Sequence, residues 1–172
     1  MSKRSYKKSK QSTGKYKRSI KLATLTGSLL VGAALLVGGL LIKQQAAQAE
    51  DVVVYKSPTC GCCKDWVKHL RENGFKVIVH DQFNMDPVKH AMGVPQRLQS
   101  CHTAQVGDYV IEGHVPAADI VRLLREKLPV KGLTAPGMPM GSPGMEGPRE
   151  DPYEVLAFQP DGRTSVYARH NQ

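Results

Sequence analysis

Three thiols stand within four residues, Cys60-Gly61-Cys62-Cys63, directly after the apolar run Val52-Val53-Val54-Tyr55 and directly before a stretch of helical pattern. A fourth and last cysteine, Cys101, immediately precedes His102. The chain must therefore fold so that a strand delivers its thiols to a helix N-terminus, where free amides and the positive end of the helix dipole favour thiolates. Thiols so placed either exchange disulfides or hold a soft metal ion. Stapling alone is a poor account of them. Adjacent Cys62 and Cys63 pair with each other only under strain, and a Cys60–Cys63 link closes a loop too small to stabilise much.

The pattern around the cluster reads as an α/β fold. Asp51–Lys56 is a short Val-rich buried strand. From Gly61 or Cys62 to about Asn73 the spacing of Trp66, Val67 and Leu70 gives a helix with one apolar face, stopped by Asn73-Gly74. Phe75–His80 is a second strand, and the short joins make strand, helix and strand a βαβ unit with a parallel pair. Asp86-Pro87 opens a short helix that ends near Met92-Gly93, with an irregular stretch or a single turn from Val94 to Ser100. Thr103–Val106 and Tyr109–Glu112 form a hairpin across Gly107-Asp108. Pro116 opens a helix lined by Ile120, Leu123, Leu124 and Leu128. The order β-α-β-α-β-β-α is thioredoxin-like, with the cysteines at the end of the first strand. Leu133–Pro152, rich in Pro, Gly and Met, is expected to be neither helix nor central strand. Val155–Phe158 and Ser165–Ala168 form a C-terminal β-hairpin across Asp161-Gly162.

The front of the chain differs from the rest. Residues 1–21 hold nine Lys or Arg and no acid, Leu22–Ile42 is charge-free and apolar, and Ala47-Gln48-Ala49 supplies small residues two apart. These are the parts of a secretory signal peptide over residues 1–49. About 20 apolar residues also suffice to span a bilayer, so residues 22–42 suit an uncleaved signal-anchor too. Either way residues 50–172 form a domain outside the cytoplasm, periplasmic in a bacterium, because the positive flank stays inside. The membrane is a partner only through this segment if it is retained. The net charge of +9 belongs to this leader: ten of the 24 Lys and Arg precede Glu50 and none of the 15 acids does, which leaves the domain near −1. Nucleic acid is not an expected partner, since that would need a basic face on the folded domain.

Within the domain, Cys60 and Cys63 form a C-x-x-C that Cys62 interrupts. A third thiol beside an exchanging pair invites scrambling, whereas several thiolates facing one point suit Cu(I), or less well Zn. Where thioredoxin-like folds carry a cis-proline over the cysteines, this chain has Cys101-His102-Thr103. A thiol there fits a fourth ligand; the plain alternative is a small buried hydrophobe. His102 and His114 are auxiliary candidates, with packing or capping as the competing role. His69, His80, His90 and His170 have no spacing that singles them out. Met138, Met140 and Met145 lie in a loop without apolar periodicity. Thioethers are soft ligands, and a Gly-Pro loop of this kind can also lie across the cysteines as a lid padded with adaptable Met.

Three ordered motifs carry a resemblance. They are Val54-Tyr55-Lys56-Ser57-Pro58-Thr59-Cys60-Gly61-Cys62-Cys63-Lys64, then Ser100-Cys101-His102-Thr103-Ala104 with Tyr109-Val110-Ile111-Glu112-Gly113-His114-Val115-Pro116-Ala117, then Gly137-Met138-Pro139-Met140-Gly141-Ser142-Pro143-Gly144-Met145-Glu146. Over residues 50–172 the chain resembles the exported CxCC family of unknown function that includes the copper-resistance protein CopG. The resemblance implies a thioredoxin-like periplasmic fold that binds copper as a polynuclear Cu(I)-thiolate cluster, with Cys60, Cys62, Cys63 and Cys101 as sulfur ligands. It also implies a part in copper resistance, with redox interconversion of copper as one mode of action. The long basic leader departs from the family pattern. The leading expectation is thus an extracytoplasmic copper-binding protein that meets copper ions and other copper-handling proteins. The alternatives are a thiol-disulfide oxidoreductase using Cys60 and Cys63, and a partner-binding module without chemistry.

Overall fold

The computed structural model describes residues 51–172. The leader, with its signal-peptide and anchor readings, lies outside the described residues. Among the described residues, seven strands form one mixed sheet in the order β2-β1-β3-β4-β5-β6-β7, accompanied by three helices and one 3-10 turn. Strand β1 (Asp51–Lys56) pairs parallel with β2 (Lys76–Asp81) and antiparallel with β3 (His102–Val106). Helix α1 (Gly61–Glu72) joins β1 to β2, and α2 (Asp86–Ala91) and the turn Gln96–Leu98 lead from β2 to β3. A tight turn connects β3 to β4 (Tyr109–Gly113), and α3 (Ala117–Glu126) follows. Among the described residues no helix is long and apolar enough to cross a membrane.

The helices follow from residue spacing. On α1, Cys63, Trp66, Val67 and Leu70 are buried, a stripe at i, i+3, i+4 and i+7. Cys60 caps this helix, its sulfur accepting from the Cys63 amide at 3.3 Å. On α3, Ile120 and Leu123 are fully buried and Leu124 is half-buried, and Leu128, just past the helix end, packs against the same core. Because successive strand residues face opposite sides, Ile111 and Ala157 join the α1 and α3 core while their neighbours Val110 and Phe158 join a smaller cluster with Val94 and Leu98. The sheet thus has an apolar layer on each face.

One expectation needs correction. The segment assigned wholly to the Pro/Gly/Met loop begins with a strand, β5 (Gly132–Ala135), buried at every residue. It lies inside the sheet, parallel to β4 and antiparallel to β6 (Tyr153–Phe158). A four-residue strand buried on both faces shows no alternation, and the composition of the following loop masks it. The last hairpin, β6 and β7 (Thr164–His170), extends the same sheet; β6 starts two residues before its apolar pattern and ends with it at Phe158, and β7 is longer at both ends.

Gly132 is where β5 meets β4 most closely: a Cβ there would lie 1.7 Å from the Val110 carbonyl oxygen. Backbone in a paired sheet cannot yield that much. Gly132→Ala is expected to destabilise the protein by about 3 kcal/mol or more, the upper end of overpacking costs, measured by chemical denaturation.

Candidate metal centre

The register of the sheet assembles the site. His102 stands opposite Lys56, so Cys101 enters β3 just beyond the end of β1, where the chain turns towards Cys60. The sulfurs of Cys60, Cys62, Cys63 and Cys101 all lie within 4.8 Å of one another. Cys60 and Cys63 are joined in a disulfide, while Cys62 and Cys101 are free. The Cys62 sulfur lies 3.5 Å from that of Cys60. Cys63 is fully buried; the other three are partly accessible. The disulfide joins the C-x-x-C pair that the exchange reading names, and with a sequence separation of 3 it closes too small a loop to staple the fold.

A second group overlaps the first. The Cys101 sulfur lies 3.3 Å from His102 Nδ1 and 3.1 Å from His114 Nε2, and these three residues also converge tightly enough to hold an ion. His114 Nδ1 lies 2.8 Å from the Pro143 carbonyl oxygen. A carbonyl only accepts, so Nδ1 carries the proton, and in the neutral ring Nε2 presents its lone pair to Cys101. Burial lowers the His114 pKa and favours that neutral form. His102 is fully buried, with its pKa well below the ordinary value because of burial and then the charges of His114 and Lys89. Its Nε2 is buried without a hydrogen-bond partner. Burial, reinforced by the neighbouring Cys62, pushes the Cys101 thiol up to about 12, so without a metal it keeps its proton. The donor set is soft sulfur edged by neutral imidazole.

The walls are apolar and fixed. The His102 ring packs on Trp66 at 4.3 Å between centroids and meets His114 edge-on at 4.9 Å. Trp66 donates its indole N–H to the Val115 carbonyl at 2.9 Å, which ties α1 to the loop carrying His114. Gly113 has a φ of 73°, and a Cβ there would lie 2.7 Å from Ser100 Cβ, so glycine lets the His114 loop close on the Cys101 segment. No cis peptide bond occurs among the described residues, Cys101 included.

The Pro/Gly/Met loop reaches the cluster through Pro143 and Gly144. A Cβ on Gly144 would lie 2.6 Å from the Cys62 carbonyl oxygen and 2.7 Å from the Trp66 amide nitrogen, so the loop rests on the start of α1. Met138 is 42% exposed with a left-handed φ of 54°, and the Met140 methyl packs over Gly147. Three of the remaining histidines have structural partners: His69 Nε2 accepts from the Ala117 amide, His170 pairs with Asp119, and His80 stacks on Tyr55, while His90 is exposed. Sequence reasoning passed over Lys89 and Glu112, a fully paired ion pair behind Cys101. Glu112 lies within a quoted motif, but no local pattern shows that it is buried.

A family described as a protein of unknown function, DUF411, matches residues 98–145, a stretch that takes in Cys101, His102, His114 and the Met138–Met145 loop. Two solved structures, forms 1 and 2 of a copper resistance protein CopG, are each 48% identical to this chain. Each aligns with a TM-score of 0.67 over 71% of this chain and 98% of its own. The chain belongs to this CopG-containing family. No curated protein matches it. Family membership and the sulfur cluster together tie the chain to copper.

Gly144→Ala is expected to lift the Pro143-Gly144 loop off α1 and free His114 Nδ1 from Pro143. Faster amide hydrogen exchange over residues 141–146, with the exchange of β1 and β3 unchanged, would show it.

Proposed function

We propose that this chain is a thioredoxin-like copper-binding protein of the periplasm or an equivalent extracytoplasmic space, acting in copper resistance. In its dithiol form it holds Cu(I) among Cys60, Cys62, Cys63 and Cys101. The carrying observation is the approach of four sulfurs from two separate segments to within 4.8 Å of one another. Four sulfurs in so small a space favour bridging thiolates and more than one ion, since soft thiolate suits Cu(I). His114 Nε2 and His102 are the nitrogen donors at the edge, and the N-terminus of α1 offsets the negative charge. Disulfide sulfurs lack the thiolate charge, so the four-sulfur site forms only after the Cys60–Cys63 bond is reduced. The leader supports export, and the names of the two related structures support the role in resistance. Met138 and Met140 are auxiliary thioether candidates on the loop that rests on the start of α1.

One observation favours a second reading, a thiol-disulfide oxidoreductase: Cys60 and Cys63 are already paired as such an enzyme would need. Cys62, 3.5 Å from the Cys60 sulfur, weighs against it, because it would compete for the same bond.

Anaerobic titration of the reduced protein with Cu(I) against a competing chelator is expected to give tight uptake of more than one ion per chain. Cys62→Ser and Cys101→Ser should each lower the stoichiometry. Binding must displace thiol protons, so apparent affinity should rise with pH. If instead the reduced protein takes up no copper, and disulfide reductase activity survives Cys62→Ser but is abolished by Cys60→Ser, the exchange reading holds.

A further inference from the structure

Behind Cys101 lies a closed polar ring that copper binding does not itself require. Lys89, from α2, and Glu112, from β4, are both buried. Lys89 Nζ donates to Glu112 Oε1 and, at 3.0 Å, to Thr103 Oγ1. Thr103 in turn donates its hydroxyl proton to Glu112 Oε2 at 2.7 Å, and the Ser100 amide donates to Oε1 at 2.6 Å. Every link is satisfied. A buried ion pair adds little net stability compared with apolar residues of the same size, so its role lies in what it holds.

What it holds is the Cys101-His102 dipeptide. Ser100 and Thr103 flank that pair, and one carboxylate grips both. Glu112 is also two residues ahead of His114, across the glycine that lets Ser100 approach. The same side chain therefore fixes the spacing between the Cys101 segment and the His114 segment. We propose that Glu112, braced by Lys89 and Thr103, is a positioning residue that seats Cys101 and His114 for metal. The metal consequence rests on the copper reading above; the seat itself does not.

A carboxylate is needed because oxygen must face donors at both ends. In Glu112→Gln, Ser100 N–H and Lys89 keep the oxygen. The amide NH2 then meets a Thr103 hydroxyl that already accepts from Lys89, and Lys89 loses its counter-charge. Thr103→Val removes only the Oε2 link at nearly constant shape, and it serves in place of Glu112→Gln should that variant not fold.

Two readouts on the full chain test the proposal. In the oxidised, metal-free protein, Cys62 and Cys101 are the free thiols. Iodoacetamide labelling mapped by mass spectrometry should be about tenfold faster at Cys101 in either variant, the factor a lost buried hydrogen bond gives a local opening, with Cys62 unchanged as internal reference. In the reduced protein, Cu(I) affinity should fall roughly 10–100-fold, as on loss of an outer partner of a metal ligand. That fall should shrink in the Cys101→Ser background, since part of it acts through that sulfur and only the His114 share is left. Wild-type labelling and affinity in both variants, or an equal loss of affinity with and without Cys101, overturns the proposal. If the wild-type protein takes up no copper, the copper reading fails, and the labelling contrast still decides whether Glu112 seats Cys101.

Discussion

The pairing of β1 with β3 is the constraint on which the site depends. Antiparallel register places His102 opposite Lys56, and this fixes where Cys101 meets the chain that turns into α1. A slip of one residue would turn every side chain of β3 to the other face. His102 would leave its seat against Trp66, and the Thr103 hydroxyl would leave Glu112. The apolar burial of Val52, Val54, Ala104 and Val106 specifies that register. Hydrophobic packing therefore decides, some residues away, that four sulfurs share one small volume.

Around that volume the protein supplies order and dryness more than charge. Trp66 closes the floor, and its indole N–H restrains the loop that brings His114 in. The Pro143 carbonyl chooses the His114 tautomer, and Gly144 keeps the covering loop in contact with α1. The desolvation that keeps the Cys101 thiol protonated also strengthens whatever bonds its sulfur makes once the proton is gone. A hard, strongly hydrated ion would gain little here, whereas a soft monovalent ion can shed its water for thiolate.

Much of the fold was legible because α1 and α3 carry regular apolar stripes and β1 is an unbroken Val run. The helix start at Cys60 could be read from the strand before it and the Trp66-Val67-Leu70 face after it. Strand β5 was hidden, since Leu133-Thr134-Ala135 is too short to show a period and runs straight into Pro136-Gly137. In the site, the clustered cysteines announced themselves by spacing and Cys101 by its place in the element order, while His114 stood only as an auxiliary candidate with packing or capping as the competing role. The Cys60–Cys63 pair was legible as a C-x-x-C, but its closure was not, because closure depends on redox state rather than on residue pattern. Nor was the partnership of Lys89 with Glu112, which joins a helix to a strand 23 positions away and exists only once the sheet is built.

The unequal burial of the paired sulfurs gives the site a front and a back. Cys63 is sealed within the core, while Cys60 is open to solvent on one side. An incoming thiolate, which must reach a sulfur to cleave the bond, has its approach at Cys60. The sulfur set free is then the inner one, released beside the helix start and shielded from the visitor. Opening of the pair is thereby directional: the outside agent is held at the mouth in a mixed disulfide with Cys60, and the freed Cys63 thiolate appears within.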